Sequence, residues 1–171
     1  MRILICEDSE HNLQSAREFA EKVKGEHEVV IINNASRAGQ GVSGGGYSPG
    51  EFYEEGVLTP LPARPTWDCV LTDLYLPDHV SGTSLPGGFY VALAALQNNV
   101  PACIITDGDA HGDDRLVCAA EISLQRWNKR LHFRFVNAKS KEGVKGLTPD
   151  GKVIKDWEYC FQQLIQNTAA A

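Results

Sequence analysis

No apolar run in this 171-residue chain approaches the roughly 20 residues that span a bilayer, and the segment Met1–Glu10 lacks the apolar centre of a signal peptide. Neither a membrane span nor a secretory leader is expected. Basic charge is also scarce: 16 Lys and Arg stand against 22 Asp and Glu, a net charge of −6. That balance argues against general binding to nucleic acid or an anionic membrane, since both repel a net anion. Paired cysteine motifs are missing too. The five cysteines (Cys6, Cys69, Cys103, Cys118 and Cys160) are widely spaced and contain no C-x-x-C. This favours reduced, buried thiols in a cytoplasmic protein over a disulfide framework or a zinc site. What is present is 43% hydrophobic residues, enough to pack one domain over residues 1–171.

Short apolar runs alternate with helical patterns. Arg2–Cys6, Glu28–Asn33, Asp68–Thr72, Ala102–Thr106 and His132–Asn137 read as strands. From Glu10 to Lys24, residues Leu13, Ala16, Phe19, Ala20 and Val23 recur at helical spacing, with Gly25 as a stop. Further helices are predicted over Phe89–Gln97, Arg115–Asn128 and Val153–Gln166, the last with Trp157, Phe161, Leu164 and Ile165 facing inward. This alternation predicts a doubly wound α/β fold with a five-stranded parallel sheet, flavodoxin-like in the order 2-1-3-4-5. Right-handed crossovers then gather the loops after the strands on one edge.

The stretch 37–65 breaks the alternation. It holds seven of the 16 glycines together with Pro49, Pro60, Pro62 and Pro65, and has no helical period. It reads as a flexible Gly/Pro-rich insertion in place of the second helix. Gly39, Gly41 and Gly44 spell a formal G-x-G-x-x-G, but Gly45, Gly46 and Pro49 follow where a dinucleotide site needs a helix to open.

The predicted sheet brings Glu7 and Asp8, after the first strand, beside Asp73, after the third. Three carboxylates converging at one edge repel unless one is protonated or a cation is bound, and oxygen-only donors suit Mg²⁺. Thr106 ends the fourth strand and Lys139 follows the fifth. With Asp107, Asp109, Asp113 and Asp114 assigned to the same edge, Lys139 is the only basic residue the sequence places there. A capping role explains any single acid, but not the set.

These residues, in this order, resemble a response-regulator receiver domain. Residues 2–19 are similar to that family's opening strand, acidic pair and first helix. Residues 66–77 are similar to the segment bearing its phosphoacceptor aspartate, followed four residues later by proline, here Asp73 and Pro77. Residues 100–108 match the strand ending in its Ser/Thr, here Thr106, and residues 134–140 the strand ending in its lysine, here Lys139. The resemblance implies that Asp73 accepts a phosphoryl group. It also implies that Asp8, Asp73 and the Tyr75 carbonyl hold Mg²⁺ directly, with Glu7 acting through water. Thr106 and Lys139 would contact the phosphoryl oxygens. It implies a stand-alone signalling module, not an enzyme beyond loss of its own phosphate. Its partners would be a histidine kinase or phosphotransfer protein and a downstream protein target.

The chain departs from the pattern at several points. The loop after Asp73 is lengthened around His79–Leu85, so that Pro86-Gly87-Gly88 falls where the family's helix-leading glycine stands. Asp107 replaces a small residue, Ser140 follows Lys139 in place of proline, and Val136 stands at a position that is usually aromatic. A degenerate receiver that binds a partner without phosphorylation is therefore the alternative. A second alternative comes from Asp107-Gly-Asp109-Ala-His-Gly112, a D-x-D-x-x-G similar to Toprim domains. There Glu7 would be the general acid/base, and Asp107 and Asp109 would bind Mg²⁺ for phosphodiester chemistry. That reading leaves Asp73, Pro77 and Lys139 without a role, and the acidic chain offers no basic groove.

Overall fold

A computed structural model of the chain describes residues 1–33, 51–54, 57–60, 67–77, 84–85, 87–107, 133–138 and 141–169. Its centre is a five-stranded, all-parallel sheet of β1 (Arg2–Cys6), β2 (Glu28–Ile32), β5 (Cys69–Asp73), β8 (Ala102–Thr106) and β9 (Phe133–Asn137). The order is β2-β1-β5-β8-β9, the flavodoxin-like 2-1-3-4-5 arrangement. The registers Cys6↔Thr72 and Thr72↔Ile104 bring the carboxyl ends of the three central strands level. Glu7, Asp73 and Thr106 consequently reach one edge.

Strand residues alternate between faces, and here both faces are covered, so the strands read as continuous apolar runs. On one face Leu4, Cys6, Val70, Ala102 and Ile104 pack against Val91, Ala92, Ala95 and Leu96 of α2 (Gly87–Gln97). On the other, Ile3, Ile5, Leu71, Cys103 and Ile105 meet Ala16 and Phe19 of α1 (Glu10–Val23). They also meet Trp157, Cys160, Phe161 and Leu164 of α3 (Trp157–Ala169). Ser9, in extended conformation, precedes α1, and Glu10 in the first turn suits the positive helix end. Gly25, at φ +102°, lets the chain turn into β2. The four described cysteines are free and buried. Among the described residues no helix is long and apolar enough to cross a membrane.

Two sequence expectations need correction. The stretch 37–65 is not devoid of regular structure: β3 (Glu51–Glu54) and β4 (Val57–Pro60) form an antiparallel hairpin within it. The helix expected from Val153 begins only at Trp157. Val153–Lys155 is instead β11, paired antiparallel with β10 (Val144–Leu147). Two β-branched residues followed by Lys and Asp fit an extended segment as readily as a helix, and pairing with β10 decides the matter. The lengthened loop after Asp73 contains a short ladder between β6 (Leu76–Pro77) and β7 (Ser84–Leu85). The expected helix over Arg115–Asn128 lies outside the described residues.

Candidate functional site

The carboxyl edge gathers Glu7, Asp8 and Asp73, with one carboxylate oxygen from each within 4.8 Å of the others. Glu7 is fully buried. Its Oε1 accepts the N–H groups of Asp8 at 3.0 Å and Ser9 at 2.9 Å, and its Oε2 accepts Lys155 Nζ at 2.7 Å. Asp73 Oδ1 accepts the Leu74 N–H at 2.7 Å and Lys155 Nζ at 2.9 Å. Asp8, by contrast, is exposed. The set thus holds two ordered, buried acids and one solvent-facing acid.

Lys155 is the residue that the sequence did not place here. Its side chain is 2% exposed, and its ammonium bridges Glu7 and Asp73. It reaches the edge because β11 ends on it, paired with Val144, while the Asp156 N–H closes the hairpin on the Gly143 carbonyl at 2.7 Å. The signal for this hairpin is legible in Thr148-Pro149-Asp150-Gly151, a turn sequence between two short runs of strand-forming residues. The Gly151 N–H bonds the Thr148 carbonyl at 2.9 Å, and Gly151 takes φ +83°.

Electrostatics follow from burial and count. Two buried carboxylates, Glu7 and Asp73, share one buried ammonium, and the exposed Asp8 adds a third negative charge beside them. Burial pushes the Asp73 carboxyl up to about 7. The Lys155 ammonium opposes that rise, and the Glu7 and Asp8 charges reinforce it. Partial desolvation and the Glu7 charge also raise Asp8. Burial alone would lower Lys155, but Asp73 and Glu7 outweigh it and hold the ammonium above the ordinary lysine range. The excess of negative charge and the all-oxygen donor set fit a hard divalent cation, whose charge would relieve it.

Behind the site, Gly88 in the first turn of α2 packs directly on β5. A Cβ there would lie 1.6 Å from the Asp73 carbonyl oxygen and 2.8 Å from Thr72 Oγ1. The Gly88 N–H donates to the Leu74 carbonyl at 3.0 Å, and Thr72 Oγ1 donates to the Asp73 carbonyl at 2.8 Å. Gly88 belongs to the Pro86-Gly87-Gly88 segment where the resemblance puts the helix-leading glycine, and close approach rather than φ is what it supplies.

Thr106 is buried at the end of β8, one residue beyond Ile105, the register partner of Asp73. Tyr75 is half-buried, two residues past Asp73. Asp107 is half-buried at the same edge, while Lys139, Asp109, Asp113 and Asp114 lie outside the described residues. The expectation that Lys139 is the sole basic residue of this edge does not hold, because Lys155 occupies its centre.

No protein-family model matches the chain, and no curated protein matches its sequence. Solved structures do. The chain is similar to the Mn²⁺-bound form of response regulator Rcp1, with 18% identity, 81% of each chain covered and a TM-score of 0.52. It is similar to the bacteriophytochrome response regulator AtBRR at 21% identity, covering 95% of this chain and 91% of that one, with a TM-score of 0.50. A third likeness is to the N-terminal domain of a response regulator/sensory box/GGDEF 3-domain protein from Carboxydothermus hydrogenoformans. There the identity is 17%, the coverage 99% and 98%, and the TM-score 0.50. The fold is that of response-regulator receiver domains, in a form far diverged in sequence.

Proposed function

We propose that the chain is a receiver-like signalling module, phosphorylated on Asp73 with the help of Mg²⁺ and acting by binding another protein. The observation that carries this reading is the Asp73 carboxylate itself. Its Oδ1 is held by Leu74 N–H and Lys155 Nζ, and one of its oxygens lies within 4.8 Å of oxygens of Glu7 and Asp8. An oxygen of the Asp73 carboxylate attacks the phosphorus of a phosphohistidine or a small acyl phosphate. The P–N or P–O bond to the donor breaks, its electron pair leaves with the donor, and an acyl phosphate remains on Asp73. Lys155 and the Thr106 hydroxyl meet the phosphoryl oxygens, an ammonium supplying compact charge and a hydroxyl sensing the new acceptors. Mg²⁺, held by Asp8, Asp73 and the Tyr75 carbonyl with Glu7 through water, would offset the charge gathered on the transferring oxygens.

The partners of such a module are a histidine kinase or phosphotransfer protein upstream and a protein target downstream, in the cytoplasm. Its chemistry is that of a phosphoacceptor with slow loss of its own phosphate. Lys139 stays the family-implied lysine, and Lys155 takes precedence here for its two contacts. The modification rates of Lys139→Ala and Lys155→Met decide between them.

A pseudo-receiver, binding its partner unmodified, draws support from the raised Asp73 carboxyl, since a protonated acid is no nucleophile. The Toprim reading is disfavoured because it leaves Asp73 and its contact with Lys155 without a role. Mg²⁺ with acetyl phosphate should add one phosphoryl group to the full chain by intact mass, and Asp73→Asn should abolish it. Absence of both Mg²⁺ binding and modification would leave the pseudo-receiver.

A further inference from the structure

The inner face of α1 should be apolar throughout by the helical period of Leu13, Ala16 and Phe19, yet it buries two polar residues, Asn12 at 2% and Ser15 at 4% exposure. Buried polar side chains persist where they are hydrogen-bonded to something that matters. Both of these grip the main chain of one residue, Lys155. Asn12 Oδ1 accepts the Lys155 N–H at 2.9 Å, and Ser15 Oγ donates to the Lys155 carbonyl at 2.7 Å. The spacing of three places them one turn apart on the same helix face. Asn12 is itself fixed, its Nδ2 donating to Ser9 Oγ at 3.1 Å and its carbonyl accepting Trp157 Nε1 at 3.2 Å. The same helix start is tied to Glu7, whose Oε1 accepts the Asp8 and Ser9 N–H groups. One helical turn therefore holds an acid of the site and the backbone of its lysine in a common frame.

We infer that Asn12 and Ser15 are positioning residues for phosphoryl transfer at Asp73: they seat the Lys155 backbone on α1 so that its ammonium stands between Glu7 and Asp73. The lysine arrives on a two-stranded hairpin, outside the central sheet, and so lacks the support that a sheet strand has from neighbours on both sides. The α1 clamp supplies that support. This inference rests on the phosphoacceptor reading of Asp73. It goes beyond that reading by assigning the control of Lys155 to side chains that touch neither metal nor phosphate.

The test uses the full chain, Mg²⁺ and acetyl phosphate. The rate of Asp73 modification is read by intact mass, and Mg²⁺ affinity by the fluorescence of Trp157, whose ring lies 6.0 Å from Lys155 Nζ. Asn12→Ala and Ser15→Ala should each slow modification about tenfold while Mg²⁺ affinity stays within about twofold, since Asp8 and Asp73 are untouched. Ser15→Thr, which keeps the hydroxyl, should restore the rate. On a Lys155→Met background the two alanine substitutions should have no further effect, because what they position is gone. Lys155→Gln, which also removes the charge, serves as that background if the methionine variant does not fold. Equal slowing with and without Lys155, or a parallel loss of Mg²⁺ affinity, would make the pair merely structural and overturn the inference. So would unchanged rates in folded alanine variants. A wild-type chain that binds Mg²⁺ but never takes phosphate overturns the phosphoacceptor reading, and the inference falls with it.

Discussion

At the amino edge of the sheet, Arg2 Nε meets Glu28 Oε1 at 3.0 Å, with side chains 25% and 61% exposed. At the carboxyl edge Lys155 Nζ meets Glu7 at 2.7 Å and Asp73 at 2.9 Å, and none of the three side chains exceeds 12% exposure. The pairings are alike in kind and length. Their settings are not. Water and salt screen the first pair, which contributes little, whereas the second is fixed in a low dielectric where removing one partner strands the others. Arg2 also rests over the Trp67 ring at 4.7 Å, so its role is largely packing. Geometry alone does not separate a structural pair from a chemical one; burial does.

The largest blow to that contrast comes from Lys155→Met. Leaving Glu7 and Asp73 without their shared cation should cost about 3 kcal/mol or more in urea unfolding of the metal-free protein. A cost under about 1 kcal/mol would put both edges in the same class. Next in size is Gly88→Ala, which attacks the carboxyl edge from behind. With its Cβ 1.6 Å from the Asp73 carbonyl oxygen, α2 and β5 must part, at about 1–3 kcal/mol. An Asp73 that still takes phosphate at the wild-type rate in this variant would show that the packing of α2 does not set the site.

A smaller, graded effect comes from pH. The folded-state Asp73 carboxyl, at about 7, lies above its unfolded value of about 3.9, so the folded chain holds the extra proton between those limits. Metal-free stability should therefore fall as pH rises from about 4 to 7 and level off above. Asp73→Asn should flatten the slope, as should a bound divalent cation. A rise in stability across that window, cured by the same substitution, would mean the lysine outweighs burial. The smallest effect is expected from Glu28→Ala at the amino edge, within about 1 kcal/mol and shrinking with added salt.

Much of this architecture was legible beforehand because its strands are buried on both faces. Arg2–Cys6, Cys69–Asp73 and Ala102–Thr106 stand out as short apolar runs, and the acids that follow them lie at the edge because the runs are parallel. A helix-leading glycine was legible in Pro86-Gly87-Gly88, but that Gly88 is the one pressed on the Asp73 backbone is set by the packing of α2 on β5. Lys155 was not found. Its window, Val153 to Gln166, carries enough helical periodicity from Trp157 onward to absorb the four residues before it. The Thr148–Gly151 turn was the overlooked signal.

The sequence by itself determined the strand order's raw material, the acidic pair Glu7 and Asp8, and Asp73 as the acid opposite them, since each is set by local pattern and chain direction. Only the tertiary structure decided which cation answers those acids. Lys155 stands 82 positions after Asp73 and 148 after Glu7, and nothing in its own neighbourhood marks it as buried. It becomes the centre of the site because a hairpin folds back onto α1 and two polar side chains there hold its backbone. Contacts at such separation leave no periodicity in the chain; they exist only once the packed surfaces have met.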